Sequence, residues 1–469
     1  MQRYKKGILI CLVCIMAFLP VSAMALRVNH AGNLSTSAVL KDVDGFQSGF
    51  LSDYNEFVSQ YNYIKINLNI IPEYAIKPKL RFEKAFLSYR GGYDSIYDIT
   101  DRYNAAPTNV DTANFQYGKT ELRFENDLRE ITADFVYESG DTNWKLRVGR
   151  QITIWGEADL LALVDVVNPT NMTNSPGSPL PEDNRYPTWQ LRLEVSTIDV
   201  GPFEQVGLQL LLIPEVVPDL WAAFGTPFGF PVPFPFVHQI GHSGTEDMEF
   251  GARLGFDVGP VHGDFYFFEG YQNGFGLDLG AFFATGAMVM HHPKSTLVGT
   301  SGQYWSDWAR GIFRWEASYQ DVVTYADAAA PMGFLTYNTV KGMVSFDRPL
   351  HFPKIFRTRS AQNSSYHFYA THIPGYPGQT ATAPKEKNSY MIGYMLSTDY
   401  NNGRVKPSLV LMYEPFGVTF VIASVEVMRQ AWKFKLGQKS VWGNSSARAA
   451  TFAALIPGST ITATIEYNF

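Results

Sequence analysis

The nine residues Ile461 to Phe469 read ITATIEYNF, so that Ile461, Ala463, Ile465, Tyr467 and Phe469 alternate with Thr462, Thr464, Glu466 and Asn468. A period of two places the apolar set on one face of a strand and the polar set on the other. Such a two-faced strand ending on an aromatic residue fits the closing strand of a bacterial outer-membrane barrel, with lipid on one side and a polar lumen on the other. Tyr467 and Phe469 are the expected signal for the barrel assembly machinery, and the outer membrane is the expected location.

The other end agrees. Arg3, Lys5 and Lys6 precede an apolar run from Gly7 to Leu19 and then Ala23-Met24-Ala25, the layout of a signal peptide cleaved after Ala25. The expected organisation is a signal peptide over residues 1–25 and one barrel over 26–469. Cys11 and Cys14 both lie inside the apolar run, and Leu12-Val13 is too bulky for a lipoprotein processing site. The mature chain would then hold no thiol, which excludes disulfides, a cysteine nucleophile and thiolate metal sites.

Only 46% of the 469 residues are hydrophobic, and 15% are aromatic. After residue 25 no apolar run reaches the roughly 18 to 20 residues of a membrane helix. A membrane chain without such helices must satisfy its backbone by closing a barrel, since lipid offers no hydrogen-bond partners. The net charge of -6 leaves no basic footprint for nucleic acid.

Period-two segments recur along the chain. Ile131, Ala133, Phe135 and Tyr137 alternate with Glu130, Thr132 and Asp134, and the turn Ser139-Gly140-Asp141-Thr142 leads into a return strand through Trp144, Leu146 and Val148. Glu130 and Asp134 should therefore face Lys145 and Arg147 as an ion-pair ladder inside the lumen. Further strands are expected at 65–70, 80–89, 191–197, 207–213, 249–257, 263–269, 310–319, 340–347, 390–396, 409–413 and 416–428. The expected fold is all-β: a transmembrane antiparallel up-and-down barrel of about 16 strands (14–18), with inward or capping loops.

Two stretches do not read as strands. Pro214 to Pro235 carries six prolines among Trp221, Phe224, Phe228, Phe230 and Phe234, and proline removes ladder donors. Either it packs on itself as an ordered surface loop, or it is a gating element or partner contact. The segment from Trp155 to Arg185-Tyr186 is rich in Pro and Asn and should leave the wall to fold over or into the lumen.

That second stretch opens with Gly149-Arg150-Gln151, three residues, Trp155-Gly156-Glu157-Ala158-Asp159, and then Val167-Asn168-Pro169-Thr170-Asn171. This order resembles the GRQ, WGE and NP pattern of the Gram-negative family catalogued as DUF1302. Tyr89 to Asp98, Phe250-Gly251-Ala252-Arg253-Leu254 and Arg314-Trp315-Glu316 resemble further elements of that family in the same order. The resemblance implies an outer-membrane barrel associated with export or uptake of hydrophobic compounds, partnered by periplasmic lipoproteins and inner-membrane pumps. The chain departs from it in having Thr170-Asn171 where many members continue into Asp, and in its Phe- and Pro-rich loop.

Arg150 falls on the lipid-facing parity of its strand, where an arginine near the bilayer midplane costs about 2 to 4 kcal/mol. A β-bulge at Gly149 would turn it inward toward Glu157 or Asp159; a position near the rim would let it reach water. Arg150, Trp155, Glu157, Asp159, Asn168 and the Arg185-Tyr186 pair, with Glu130, Asp134, Lys145 and Arg147, are the candidates for lumen or substrate contact, or for pinning a plug. His238, His242 and the pair His291-His292 lack metal-site spacing on a regular element, so no metal or cofactor is expected. No nucleophile sits in a G-x-S-x-G turn, so no enzyme is expected. The reading is an outer-membrane channel for small hydrophobic or amphipathic compounds; its rival is a non-conducting docking barrel of an envelope export complex.

Overall fold

A computed structural model describes residues 26–41, 56–72, 75–77, 79–104, 116–173, 184–223, 225–229, 236–239, 247–274, 276–326, 334–376, 387–415, 418–443 and 459–469. The expected signal peptide and Phe224, Phe230, Phe234 and His242 lie outside them.

Among the described residues one nineteen-stranded antiparallel sheet holds eighteen barrel strands and the short strand Ala75–Lys77. The first six are β1 (Leu26–Lys41), β2 (Glu56–Pro72), β3 (Leu80–Asp94), β4 (Phe124–Ser139), β5 (Thr142–Gln151) and β6 (Thr188–Val200). There follow β7 (Phe203–Ile213), β8 (Glu249–Val258), β9 (Val261–Tyr271), β10 (Lys294–Ser306), β11 (Gly311–Ala326) and β12 (Phe334–Leu350). The last six are β13 (Gln362–His372), β14 (Asn388–Ser397), β15 (Val405–Tyr413), β16 (Val418–Arg429), β17 (Trp432–Gly443) and β18 (Thr460–Asn468). Each strand pairs with the next, so the path is a meander at the upper end of the expected strand range.

The terminal strand performs the closure. β18 pairs with β1 from Asn33↔Asn468 to Lys41↔Thr460, and Gly32 and Phe469 exchange backbone bonds of 2.9 and 3.0 Å. Closure leaves the barrel sheet itself without an edge to pair with another chain.

Alternation sorts the side chains as the period of two requires. Phe265, Val298, Val344, Phe368, Ile392 and Leu436 stand exposed on the outside. On the inside Asp134 is fully buried and takes Arg147 in a fork of two 2.7 Å bonds, with Lys145 at 3.3 Å. No helix among the described residues is long and apolar enough to cross a membrane.

Connections differ at the two rims. Turns such as Gly140-Asp141, Gly201-Pro202 and Gly259-Pro260 close one rim tightly, whereas residues 95–123, 152–187, 214–248 and 272–293 join strands at the other. A charge placed on the outer wall would face hydrocarbon. Val298→Arg, near the middle of β10, is therefore expected to destabilise the barrel by about 2–4 kcal/mol in urea titrations in bilayers, with a much smaller effect in detergent micelles.

Candidate functional site

The segment after β5 does not stay at the rim. Trp155, with its ring almost completely buried, packs on Leu211 and Ile213 of β7, Tyr266 and Phe268 of β9 and Leu297 of β10. Its ring centroid lies 5.3 Å from that of Tyr266, and its Nε1 donates to Gln209 Oε1 at 2.7 Å. The chain then crosses toward the opposite wall. Leu160 joins Met343 of β12, Tyr369 of β13 and Val410 and Met412 of β15 in one apolar cluster. Residues 152–168 thus form a strap inside the lumen.

One carboxylate holds the middle of it. Glu316 of β11 is 1% exposed, and its Oε1 accepts the backbone N–H groups of Glu157 at 2.5 Å and Ala158 at 2.7 Å, while Oε2 accepts that of Leu163 at 2.8 Å. Three amides aimed at one anion form charge-assisted bonds, roughly twice as strong as neutral ones. Gly156 makes the approach feasible: its φ is +91°, and a Cβ there would lie 2.3 Å from Glu316 Oε1. Gly251 does the same for Trp155, since a Cβ on it would stand 2.8 Å from the indole ring.

The tip is fixed by charge. Asp159 Oδ2 accepts from Arg314 Nη1 at 2.5 Å, and Arg314 Nη2 lies 2.9 Å from Asp347. On the other side Arg253 forks Asp264 with bonds of 2.8 and 2.9 Å, and His262 bridges Asp257 and Asp264. Glu157, facing this group, has its carboxyl pushed above the usual range by burial, against the pull of His262, Arg314 and Arg253. Two sets here, Glu157–His262–Asp264 and Asp159–Asp347–His367, bring ligand atoms within 4.8 Å of one another. Arg253 already pairs Asp264 in the first set and Arg314 pairs Asp159 and Asp347 in the second, each filling the role a cation would take.

The root is pinned by Asn168, which is fully buried. Its Oδ1 accepts Thr153 N–H at 2.7 Å, and its Nδ2 donates to the carbonyls of Gln151 at 3.2 Å and Tyr186 at 3.0 Å. Arg185 binds Asp165 at 2.5 Å and the Asn168 carbonyl at 3.3 Å. These contacts make Asn168 and Arg185 positioning residues of the strap.

Arg150 belongs to a different assembly. The ladder runs through Gly149 without a register shift, so no bulge turns Arg150 inward. It stays on the outer face at the long-loop end of β5, bonded to Asp127 at 3.0 Å and to the carbonyls of Pro187 and Leu128, with its guanidinium 4.7 Å above the Tyr186 ring. Of the two alternatives the inward one, with its pairing to Glu157 or Asp159, does not form; the rim position, with Asp127 as partner, relieves the charge. The Asp134 ladder forms, but Glu130 accepts Ile152 N–H at 3.4 Å instead of joining it, because the β4–β5 register sets Asp134 opposite Arg147 and Thr132 opposite Gly149, which carries Glu130 past both cations.

Above the strap, the described part of the Pro-rich loop packs on its neighbours. Ala222 lies buried among Ile96, Tyr97, Tyr103 and Leu122, with Tyr117 against the cluster. Trp221, likewise buried, pairs in parallel with Gln116, and Phe228 is half-buried. Trp221 is therefore part of a packed cap and not a free apolar surface.

Arg314, Glu316, Gly251 and Arg253 were legible only as elements of the family pattern; their convergence on one strap needed the barrel's curvature. The arrangement defines a closed outer-membrane-type barrel narrowed by an internal strap. The family described as "Protein of unknown function (DUF1302)" matches residues 23–201, which contain the GRQ, WGE and NP elements. No curated protein matches the chain. Among solved structures, Acinetobacter baumannii OccAB4 is 9% identical over 96% of this chain and 100% of that one, with a TM-score of 0.51. OccAB1 of the same organism is 8% identical over 95% and 96%, with a TM-score of 0.50. At these identities the likeness is one of fold.

Two outcomes follow from the geometry. Glu316→Ala leaves three amides without their acceptor, and amide exchange over 157–163 should accelerate by roughly a hundredfold while strand amides stay protected; unchanged exchange would remove Glu316 from the account. Asp219, in the loop beneath Thr170 and accepting its N–H at 2.6 Å, has its carboxyl pushed up by burial to about 6. Because the folded form holds this proton more tightly than the unfolded one, the group costs stability as pH rises from about 4 through 6, reaching roughly 3 kcal/mol at neutral pH. Exchange protection around Thr170 and Leu220 should fall over that window, and Asp219→Asn should flatten the fall.

Proposed function

We propose that the protein is an outer-membrane channel for small amphipathic molecules, with the strap at 152–168 setting the constriction. The observation that carries the reading is the hold of Glu316 on three strap amides, which maintains a segment inside a barrel whose wall is complete without it. Mixed character beside the constriction supports the substrate class. Ile154 and Leu161 remain exposed, while Asp159, Arg314 and Arg253 line the same region with charge and His262 adds a polar ring. A solute with one apolar and one polar end would find partners for both.

Of the loop aromatics that suggest a purely hydrophobic solute, Trp221 is packed away and Phe228 is half-buried, so the reading rests on the mixed lining instead. A docking barrel that conducts nothing would have no use for an arginine-lined lumen, although a complete plug would serve it.

Single-channel recording in planar bilayers tests the proposal. The wild-type protein should show a small steady conductance, and Glu316→Ala should raise it several-fold or make it noisy as the strap loosens. Silence in both, with barrel closure confirmed by heat-dependent gel mobility, would shift the reading to a plugged docking barrel.

A further inference from the structure

The short-turn rim is electrostatically divided. In one sector the turns carry Asp141, Asp199 and Glu204, all exposed and, among the described residues, in no ion pair, beside Glu138, which Arg81 pairs at 2.7 Å. In the other, residues 348–361 read RPLHFPKIFRTRSA and contain no acid. Arg348, Lys354, Arg357 and Arg359 are exposed there, and none of the four enters an ion pair among the described residues. The neighbouring turn adds Arg310, and its acid, Asp307, already accepts Trp305 Nε1 at 2.7 Å.

Exposed apolar side chains accompany these cations. Trp308 is 84% and Ile355 72% exposed, with Phe352 beside them. The segment that presents them is built, not slack. The helix Pro353–Phe356 ends at Arg357 in the left-handed region, Phe352 N–H is held by Gln362 Oε1 at 2.8 Å, and Thr358 and Ser360 both donate to Asp399 at 2.8 Å.

The depth of this patch is set by β12. Alternate residues share a face, so Val344, Phe346 and Arg348 follow one another down the outer wall, where Phe346 stacks 4.6 Å from Phe313. Arg348 thus stands one step beyond the apolar belt, where headgroup phosphates begin. A partner approaching from the aqueous side would not need an arginine facing outward there.

We propose that this sector is a binding site for anionic phospholipid headgroups in the leaflet at the short-turn rim. Arg348, Lys354, Arg357 and Arg359 engage the phosphate and the headgroup charge, and Trp308, Phe352 and Ile355 seat among the upper acyl chains. The acidic sector shows that cations are not spread evenly around the rim, so the site is local. Its footing is the membrane barrel and does not depend on conduction.

Native mass spectrometry of the detergent-solubilised full chain, titrated with phosphatidylglycerol or phosphatidylcholine, tests this. The wild type should retain phosphatidylglycerol in preference, and the combined variant Arg348→Gln, Lys354→Gln, Arg357→Gln and Arg359→Gln should lose that preference by roughly tenfold or more. Neutralising Asp141, Asp199 and Glu204 in the acidic sector should leave it unchanged. Equal retention of the two lipids by the wild type, or an unchanged preference in the basic-sector variant, overturns the proposal. So would a variant that keeps phosphatidylglycerol but loses a bound periplasmic protein. If the variant fails to fold, brominated phosphatidylglycerol should quench Trp308 in the wild type more than brominated phosphatidylcholine does, read as the difference from Trp308→Phe; equal quenching overturns the proposal too.

Discussion

A buried carboxylate holding three backbone N–H groups is the interaction on which the interior depends. A segment that leaves the wall at β5 cannot cross a lumen with its amides unpaired, since each would compete for water or remain unsatisfied. Glu316 supplies the acceptors from β11. The amides it receives offset part of the cost of burying that charge, and the strap gains a fixed path. Trp155 on one wall and Leu160 on the other then need only fill apolar hollows already lined by β7, β9, β10 and β12 to β15.

Three elements far apart in the chain become one device for this reason. The WGE turn provides the glycine and the amides, the Gly-x-Arg element on β8 provides space for the indole and an arginine for Asp264, and the Arg-x-Glu element on β11 provides both the latch and the partner of Asp159. Asn168, at the start of the NP element, ties the strap's return to Gln151 and Tyr186. Each is an ordinary residue locally; their joint meaning is the strap.

The barrel was legible because a wall between lipid and a polar lumen imposes strict alternation, as at 131–137 and 461–469. Strands escaped where that alternation is diluted. β1 places His30, Gly32 and Thr36 on the face that also carries Val28 and Leu34, and β10 exposes chiefly Val298 and Tyr304. Loop partners were less legible still. Arg150 was visible as an anomaly, but its relief by Asp127, two carbonyls and Tyr186 depends on where the strand ends relative to the rim. Whether Trp221 packs or gates stayed open in the sequence because nothing local announces that Ile96, Tyr97 and Leu122 come to meet its loop.

The central claim is that the strap reaches from β5 to the far wall. Leu160 touches that wall at Gly393 of β14, where a Cβ would lie 2.6 Å from its Cδ1. Cysteines placed at Leu160 and Gly393, in a chain whose own two cysteines are Cys11 and Cys14, give a direct measurement by cross-linking with a short bifunctional thiol reagent in membranes. The account expects efficient intramolecular cross-linking, released by reductant when the linker contains a disulfide, and none when the strap cysteine is paired with one on β2. Failure of the 160–393 pair to link in a properly closed barrel would contradict it.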